Sequence, residues 1–253
     1  MGDDYTAETY GERWASIYDA WVGNLGFLVD PVTVASRLAD LAGDGRALEL
    51  AIGTGRVALP LTEMGVEVHG IDISEAMVAR LRQKPGGADI PVNMGDFADV
   101  GVEGEFRLIF LVFNTLFALG TQEDQARCFA NAARHLTGDG AFVIEAFIPD
   151  VTRFDRGQRV DVLDIGVNGM VLLGAKHDAA GQRIESLQVV FEEGEPLRTY
   201  PVRLRYCYPS ELDLMAKLAG LRLRDRWGGW EHEPYTGELA GRHVSVYERD
   251  PGS

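Results

Sequence analysis

Three carboxylates in the first hundred residues are spaced for chemistry. Glu49 sits inside the apolar run Ala47, Leu48, Leu50, Ile52, and Gly53-Thr54-Gly55 follows at once. Glycine reaches φ > 0 and lets another molecule approach the backbone, and an acid four residues before the first glycine suits a cationic ligand. Asp72 closes the next apolar run, one strand-helix-strand repeat beyond Glu49. A carboxylate there can accept from both hydroxyls of a ribose. Asp96, with Phe97, lies one repeat further. Gly53 to Ala58 also fits G-x-G-x-x-A, so an NAD-dependent oxidoreductase stays open. That fold keeps the end of its first strand apolar and has no use for Glu49.

A fourth acid, Glu145, stands inside the run AFVIEAFIP. Burial of an unpaired carboxylate is costly, so Glu145 is either satisfied by an arginine or backbone amide, or faces a ligand as base or orienting group. His177 and His232 are weaker candidates for the same work. Tyr10, Trp14, Ile17, Tyr18 and Trp21 recur at three- and four-residue steps, which predicts a helix that either packs on the core or covers a site. The stretch from Trp227 to Tyr235, with Trp230 and His232, is too aromatic for an ordinary connection and reads as a binding loop. Cys128 and Cys207 form no metal spacing and no disulfide framework.

These residues need a scaffold, and the pattern supplies one. Arg46–Ile52, Glu67–Ile73, Asp89–Met94, Phe106–Phe113 and Ala141–Pro149 read as strands, with helices over 31–41, 56–64, 74–84 and 121–136 between them. Ser74 is a credible N-cap. FRLIFLVF is apolar throughout, as a central parallel strand covered on both faces requires. From about residue 158 to 207 the alternation stops. Partial period-two runs separated by turn signals predict an antiparallel meander, either a separate module or a roof over the site. Pro209-Ser210 opens another helix with Ser210 as N-cap, and Leu221–Arg226 and His243–Glu248 are the sixth and seventh strands.

At 253 residues, 46% hydrophobic and 25% charged, the chain is a single globular domain. Its 39 acids against 24 bases give a net charge of −15, which argues against a nucleic-acid partner. The N-terminus is acidic and no apolar run reaches membrane-spanning length, so neither signal peptide nor anchor is expected and a cytoplasmic location fits.

The segment from Glu49 to Gly55 resembles motif I of the class I S-adenosylmethionine-dependent methyltransferases, an acid followed by x-G-x-G-x-G, with Ala51 where the first glycine falls. Tyr10 and Tyr18-Asp19 resemble the segment that small-molecule members fold over the cofactor. The layout is similar to deoxysugar N,N-dimethyltransferases, which carry a related acid in strand five. The resemblance implies an α/β fold: a seven-stranded Rossmann-like sandwich, mostly parallel with the last strand antiparallel, a helical lid over 1–42 and an antiparallel β insertion over 158–207 roofing the site. It implies S-adenosylmethionine as cofactor and methyl transfer to nitrogen or oxygen of a small-molecule acceptor of the secondary-metabolite kind; a non-catalytic S-adenosylmethionine binder is the other alternative. The implied cofactor residues are Tyr10, Glu49, Ala51, Gly53, Gly55, Arg56, Asp72, Ile73, Met77, Asp96, Phe97, Phe113 and Asn114. Asp96 would bond the adenine amino group, Phe97 would cover the ring, and Phe113 and Asn114 would meet the methionine arm. Glu145 and His177 are the catalytic candidates, and Trp14, Tyr18, Phe147, Trp230 and His232 the acceptor candidates. Asn114 stands where catechol-type relatives place metal-binding acids, so no metal is expected. The chain is expected to act as a monomer or homodimer.

Overall fold

The computed structural model describes residues 5, 7–23, 29–99 and 101–252. Its N-terminal part holds α1 (Ala7–Trp14), α2 (Tyr18–Gly23) and α3 (Pro31–Ala42). The alternating core follows: β1 (Ala47–Leu50), α4 (Ala58–Glu63), β2 (Val68–Asp72), α5 (Glu75–Arg82), β3 (Val92–Met94), β4 (Phe106–Leu111), α6 (Gln122–His135) and β5 (Leu136–Phe147). Then come β6 (Gln158–Gly166), β7 (Gly169–Asp178), β8 (Arg183–Glu192), β9 (Arg198–Arg205), α7 (Pro209–Leu218), β10 (Leu221–Trp227) and β11 (Arg242–Arg249).

Local chemistry sets several boundaries. Asp30 caps α3 by accepting from the Val32 N–H, with Pro31 in the first turn, where its missing N–H costs nothing. Ser74 accepts from Met77 N–H and caps α5 as expected, and Thr121 does the same for α6. The expected cap at Ser210 is corrected: Tyr208 holds that place and Pro209 begins the helix, because proline's fixed φ fits the first helical turn and moves the start one residue earlier. The aromatic N-terminal helix is also two pieces, broken by a turn over 15–17. Residues 1–4, 6 and 24–28 of the expected lid lie outside the described residues. β5 begins at Leu136, five residues before the predicted strand, and runs straight from α6.

The main sheet has the order β10-β11-β5-β4-β1-β2-β3. β1 pairs in parallel with β2 and β4, β2 with β3, and β4 with β5, while β11 runs antiparallel to β5 and β10. This is the expected seven-stranded sandwich. Each face carries its own core. Phe106, Ile109, Leu111, Phe129 and Phe142 lie with α6 and α7 on one side, and Leu38, Leu61, Leu108, Phe110 and Val143 with α3 and α4 on the other. Burial of one such side chain stabilises the fold by about 1.5–3 kcal/mol, which explains the unbroken apolar run of β4.

β6 to β9 form a separate antiparallel sheet in sequence order. It is anchored where β9 meets α7: buried Arg205 pairs with Glu211 at 2.7 Å and also donates to Gln125 of α6 and to Gln182. Loss of one partner of such a buried pair costs about 3–5 kcal/mol. Among the described residues no helix is long and apolar enough to cross a membrane.

Candidate active site

Glu49, Asp72 and Asp96 close three adjacent parallel strands on one edge of the sheet. The register puts Glu49 beside Gly70 of β2, and Asp72 beside Met94 of β3, two residues before Asp96. Between the first two lies a bend in which Ala51, Gly53 and Gly55 all take left-handed backbone (φ 57°, 57° and 78°). Gly55 is also required by packing, since a Cβ there would meet Leu81 Cδ1 at 2.4 Å. At Gly53 nothing crowds a Cβ, whose nearest neighbour would be Ala51 O at 4.0 Å, so the space above the bend is open to another molecule. Asp72 holds the bend in place. Its Oδ2 accepts from Gly53 N–H at 2.6 Å and its Oδ1 from Ser74 N–H at 2.8 Å. Burial raises the carboxyl's pKa, against the hydrogen bonds from the Ser74, Gly53 and Ile73 amides.

Glu49 is 4% exposed, and its Oε2 has no hydrogen-bond partner among the described residues. Burial pushes its pKa up to about 8; Arg56 and the Ala58 amide oppose this, and the charge of Asp72 adds to it. A buried carboxylate with an uncommitted oxygen demands a cation. Ile73 is half-buried and Met77 is buried against α1. Asp96 is exposed and its Oδ1 accepts from Ala98 N–H at 2.9 Å. Phe97 packs into the cluster on the α6 side of the sheet and retains 8% exposure.

α1 and α2 lie across this edge. Gly11 permits the crossing, because a Cβ there would stand 2.0 Å from Ser74 Oγ. Tyr10 stacks on Trp14 at 5.7 Å, and burial raises its pKa well above the ordinary value. Burial likewise pushes Tyr18 up to about 12, against Arg56 and with Glu49, Asp19 and Asp72. Asp19 fastens α2: its Oδ1 accepts from Thr54 Oγ1 at 2.6 Å, and its Oδ2 pairs with Lys84 Nζ at 2.8 Å. Trp14 packs on Met77 and Tyr200, and its Nε1 donates to Pro201 O of β9.

Next to this edge is a cavity of about 680 Å³. Its floor is Phe113 and Asn114, after β4, and Glu145 to Ile148, at the end of β5. Trp14 and Trp21 form one wall, and the β6–β9 sheet closes the top with Leu173, Ala175, Ile184, Gln188, Tyr200 and Val202. Arg159 and Asp161 of β6 line it as well, together with Arg153. Phe113 and Asn114 both take left-handed backbone (φ 55° and 64°), a conformation costing about 1–3 kcal/mol per residue. Three hydrogen bonds hold it: Phe113 N–H to Glu145 Oε2 at 3.0 Å, Asn114 N–H to Glu145 O at 3.1 Å, and Phe147 N–H to Asn114 Oδ1 at 2.7 Å. Glu145 thus has the backbone-amide partner that a buried acid needs. Its Oε1 lies 3.9 Å from Arg242 Nη1.

The structure brings Trp14, Phe113, Asn114, Glu145 and Phe147 to this cavity and leaves four of the catalytic and acceptor candidates away from it. Tyr18 is not in its lining: α2 turns it toward the glycine bend, where it packs against Trp21 and feels the charges of Arg56, Glu49 and Asp72. His177 lies beyond its end, bonded through Nε2 to Tyr206 Oη at 2.8 Å and stacked near Phe154. Trp230 is fully buried on the α3 face with Val244 and Val246, and its carbonyl accepts from Arg37; the large indole is drawn into the core instead of the cleft. His232 is exposed and stacks on Trp227 at 4.0 Å. No residue of the expected binding loop, Trp227 to Tyr235, lines the cavity; Ala240, Gly241 and Arg242, which follow it, do. Trp21 was visible in the aromatic stripe. Gln188, Tyr200 and Arg159 were not, since which face of the inserted sheet looks inward depends on a register that the sequence pattern leaves open.

Comparison with known proteins agrees with this arrangement. A family model described as a methyltransferase domain matches residues 47–140. The cypemycin N-terminal methyltransferase of a Streptomyces species is 30% identical over 195 residues, covering 76% of this chain and 79% of that protein. The structure of the CcbJ methyltransferase from Streptomyces caelestis superposes with a TM-score of 0.90 at 38% identity, covering 97% of this chain and 99% of that one. An S-adenosylmethionine-bound amino pentose methyltransferase from Micromonospora echinaspora shares the fold (TM-score 0.68, 22% identity, 91% and 96% covered). The edge fits that cofactor: Glu49 Oε2 lacks the cation that an α-ammonium would bring, and Asp72 is a carboxylate, which can accept from a diol. The chain belongs to the class I S-adenosylmethionine-dependent methyltransferases, with S-adenosylmethionine as its cofactor.

Proposed function

We propose that this methyltransferase acts on the nitrogen of a small-molecule amine held in the cavity beside Phe113 and Glu145. When bound, S-adenosylmethionine supplies an electrophilic methyl group on a sulfonium sulfur. Glu49 receives the ammonium of its amino-acid end, with Ala51, Gly53, Gly55 and Arg56 beside it and Asn114 and Phe113 along the methionine arm. Asp72 takes the ribose hydroxyls, and Ile73, Met77, Asp96 and Phe97 flank the adenine end. Tyr10 and Tyr18, on α1 and α2, cover this edge and exclude water, and the β6–β9 sheet covers the acceptor.

The observation that carries the nitrogen assignment is the state of Glu145. Glu145 lines the cavity; one carboxylate oxygen is committed to Phe113 N–H, and the other has Arg242 at 3.9 Å. That oxygen can accept an N–H from the acceptor and so aim the nitrogen lone pair, an orienting effect worth several kcal/mol. A neutral amine needs no more than this, whereas a hydroxyl needs its proton removed. The histidines His177 and His232 stand outside the cavity. The name of the cypemycin enzyme, which refers to an N-terminus, supports the same reading.

The test is S-adenosylhomocysteine release, with mass analysis of the product, over a panel of primary and secondary amines and the alcohols of the same skeletons. Amines are expected to be methylated and the alcohols left unchanged. Preferential methylation of the alcohols would overturn the nitrogen assignment.

A further inference from the structure

Gln188 lies in the middle of β8, directly opposite Tyr200 of β9, and its side chain lines the acceptor cavity while being 7% exposed. The inserted sheet otherwise presents mainly apolar groups there, among them Leu173, Ala175, Ile184 and Val202. A primary amide in such a ceiling is costly unless both of its ends are used. One end is. Trp21 Nε1 donates to Gln188 Oε1 at 3.2 Å. An indole N–H can only donate, so the amide oxygen is the end turned to Trp21 and the NH2 group is what remains. Trp21 itself is wedged against Trp14 at 4.5 Å, with Phe113 at 6.2 Å. Among the described residues nothing accepts a hydrogen bond from that NH2.

We infer that Gln188 is a specificity-determining residue whose NH2 group, oriented by Trp21, donates to an oxygen of the methyl acceptor, so that the preferred acceptor is an amine carrying a nearby hydroxyl, ether or carbonyl oxygen. This rests on the reading of the cavity as the site of an amine acceptor. Trp21 belongs to the helix that Asp19 ties to the glycine bend. The amide is therefore aimed only while that helix is seated beside the cofactor edge.

The experiment compares initial rates of S-adenosylhomocysteine release, referred to the concentration of neutral amine, for trans-2-aminocyclohexanol against cyclohexylamine and morpholine against piperidine, in the full chain and in Gln188→Leu and Trp21→Phe. The unaltered protein is expected to favour the oxygen-bearing probe by roughly tenfold or more in kcat/KM, the worth of one well-placed hydrogen bond in a dry site. Gln188→Leu should erase that preference while leaving the oxygen-free probe within about twofold, a selective effect that general loss of structure does not produce. Trp21→Phe should lower the preference, because the amide is then free to turn over. Equal rates within each pair for the unaltered protein, or an undiminished preference in Gln188→Leu, overturns the inference and leaves the amine reading standing. Binding of S-adenosylhomocysteine without methylation of any of the four amines overturns the amine reading, and this inference with it.

Discussion

With the cofactor's ammonium at Glu49, as proposed, cofactor binding is expected to release a proton. Burial pushes the pKa of Glu49 up to about 8, and its Oε2 has no partner among the described residues. At pH 7 the group is therefore about 90% protonated in the ligand-free protein. The ammonium of S-adenosylhomocysteine, placed beside it, stabilises the carboxylate, so binding at pH 7 should release about 0.9 proton per site. Over pH 6 to 7 the affinity should rise about ninefold, the ratio of the protonated excesses at the two values, and the rise should level off near pH 8. Titration calorimetry in buffers of differing ionisation enthalpy reads the proton count as a slope. Glu49→Gln should bring that slope close to zero and weaken binding, since the amide meets the ammonium without charge. The linkage has a second face. A carboxyl whose folded pKa lies above its unfolded value of 4.5 favours the fold below pH 4.5, and that contribution is lost as pH rises through about 8. Ligand should then stabilise the protein most on the alkaline side. An unaltered protein that releases no proton, or a Glu49→Gln variant that releases as many, would refute the placement of the ammonium at Glu49.

Three further outcomes are expected. Gly11→Ala places a Cβ 2.0 Å from Ser74 Oγ, so α1 must lift; S-adenosylhomocysteine should bind at least about tenfold more weakly while the melting temperature of the ligand-free chain moves little, and unchanged affinity would dismiss α1 as a cover. Asp72→Ala removes the acceptor of Gly53 N–H and Ser74 N–H together with the expected ribose contact, and equilibrium binding should show a loss of at least about tenfold. His243 is fully buried, and burial followed by the nearby Arg226 pushes its pKa down to about 4. A folded pKa below the unfolded value near 6.5 means that stability falls as pH drops from about 6.5 to about 4, by up to roughly 3 kcal/mol; His243→Gln should flatten the denaturant midpoint over that window.

Much of the scaffold was legible because it rests on local physics. The run around Glu49, the glycine bend, the Ser74 cap and the continuous apolar strand of β4 each state their structure within a few residues, and their order gives the sheet. The inserted sheet was visible as a change of periodicity from about 3.6 to 2. What escaped depends on long-range packing. Trp230 looks like a ligand-binding aromatic among Gly228, Gly229 and His232, yet it fills the core beside α3 and takes no part in the cavity lining. The partner of Glu145 is a backbone amide 32 residues away, which no residue type announces. Gln188 is an unremarkable glutamine in the sequence, and only the seating of Trp21 against it gives its amide a direction.

Trp14 touches two parts of the molecule at once: Met77 of α5 on one side, and β9 of the inserted sheet on the other, through Tyr200 and through its indole N–H to Pro201 O. A single pivot therefore connects the two compartments. Any outward swing of the first helix wide enough for the spent nucleoside to leave must slacken the ceiling over the second compartment in the same motion. On the proposed placement of cofactor and acceptor, the methylated product is therefore expected to leave before, or together with, the sulfur-bearing nucleoside, an order that product-inhibition patterns would read.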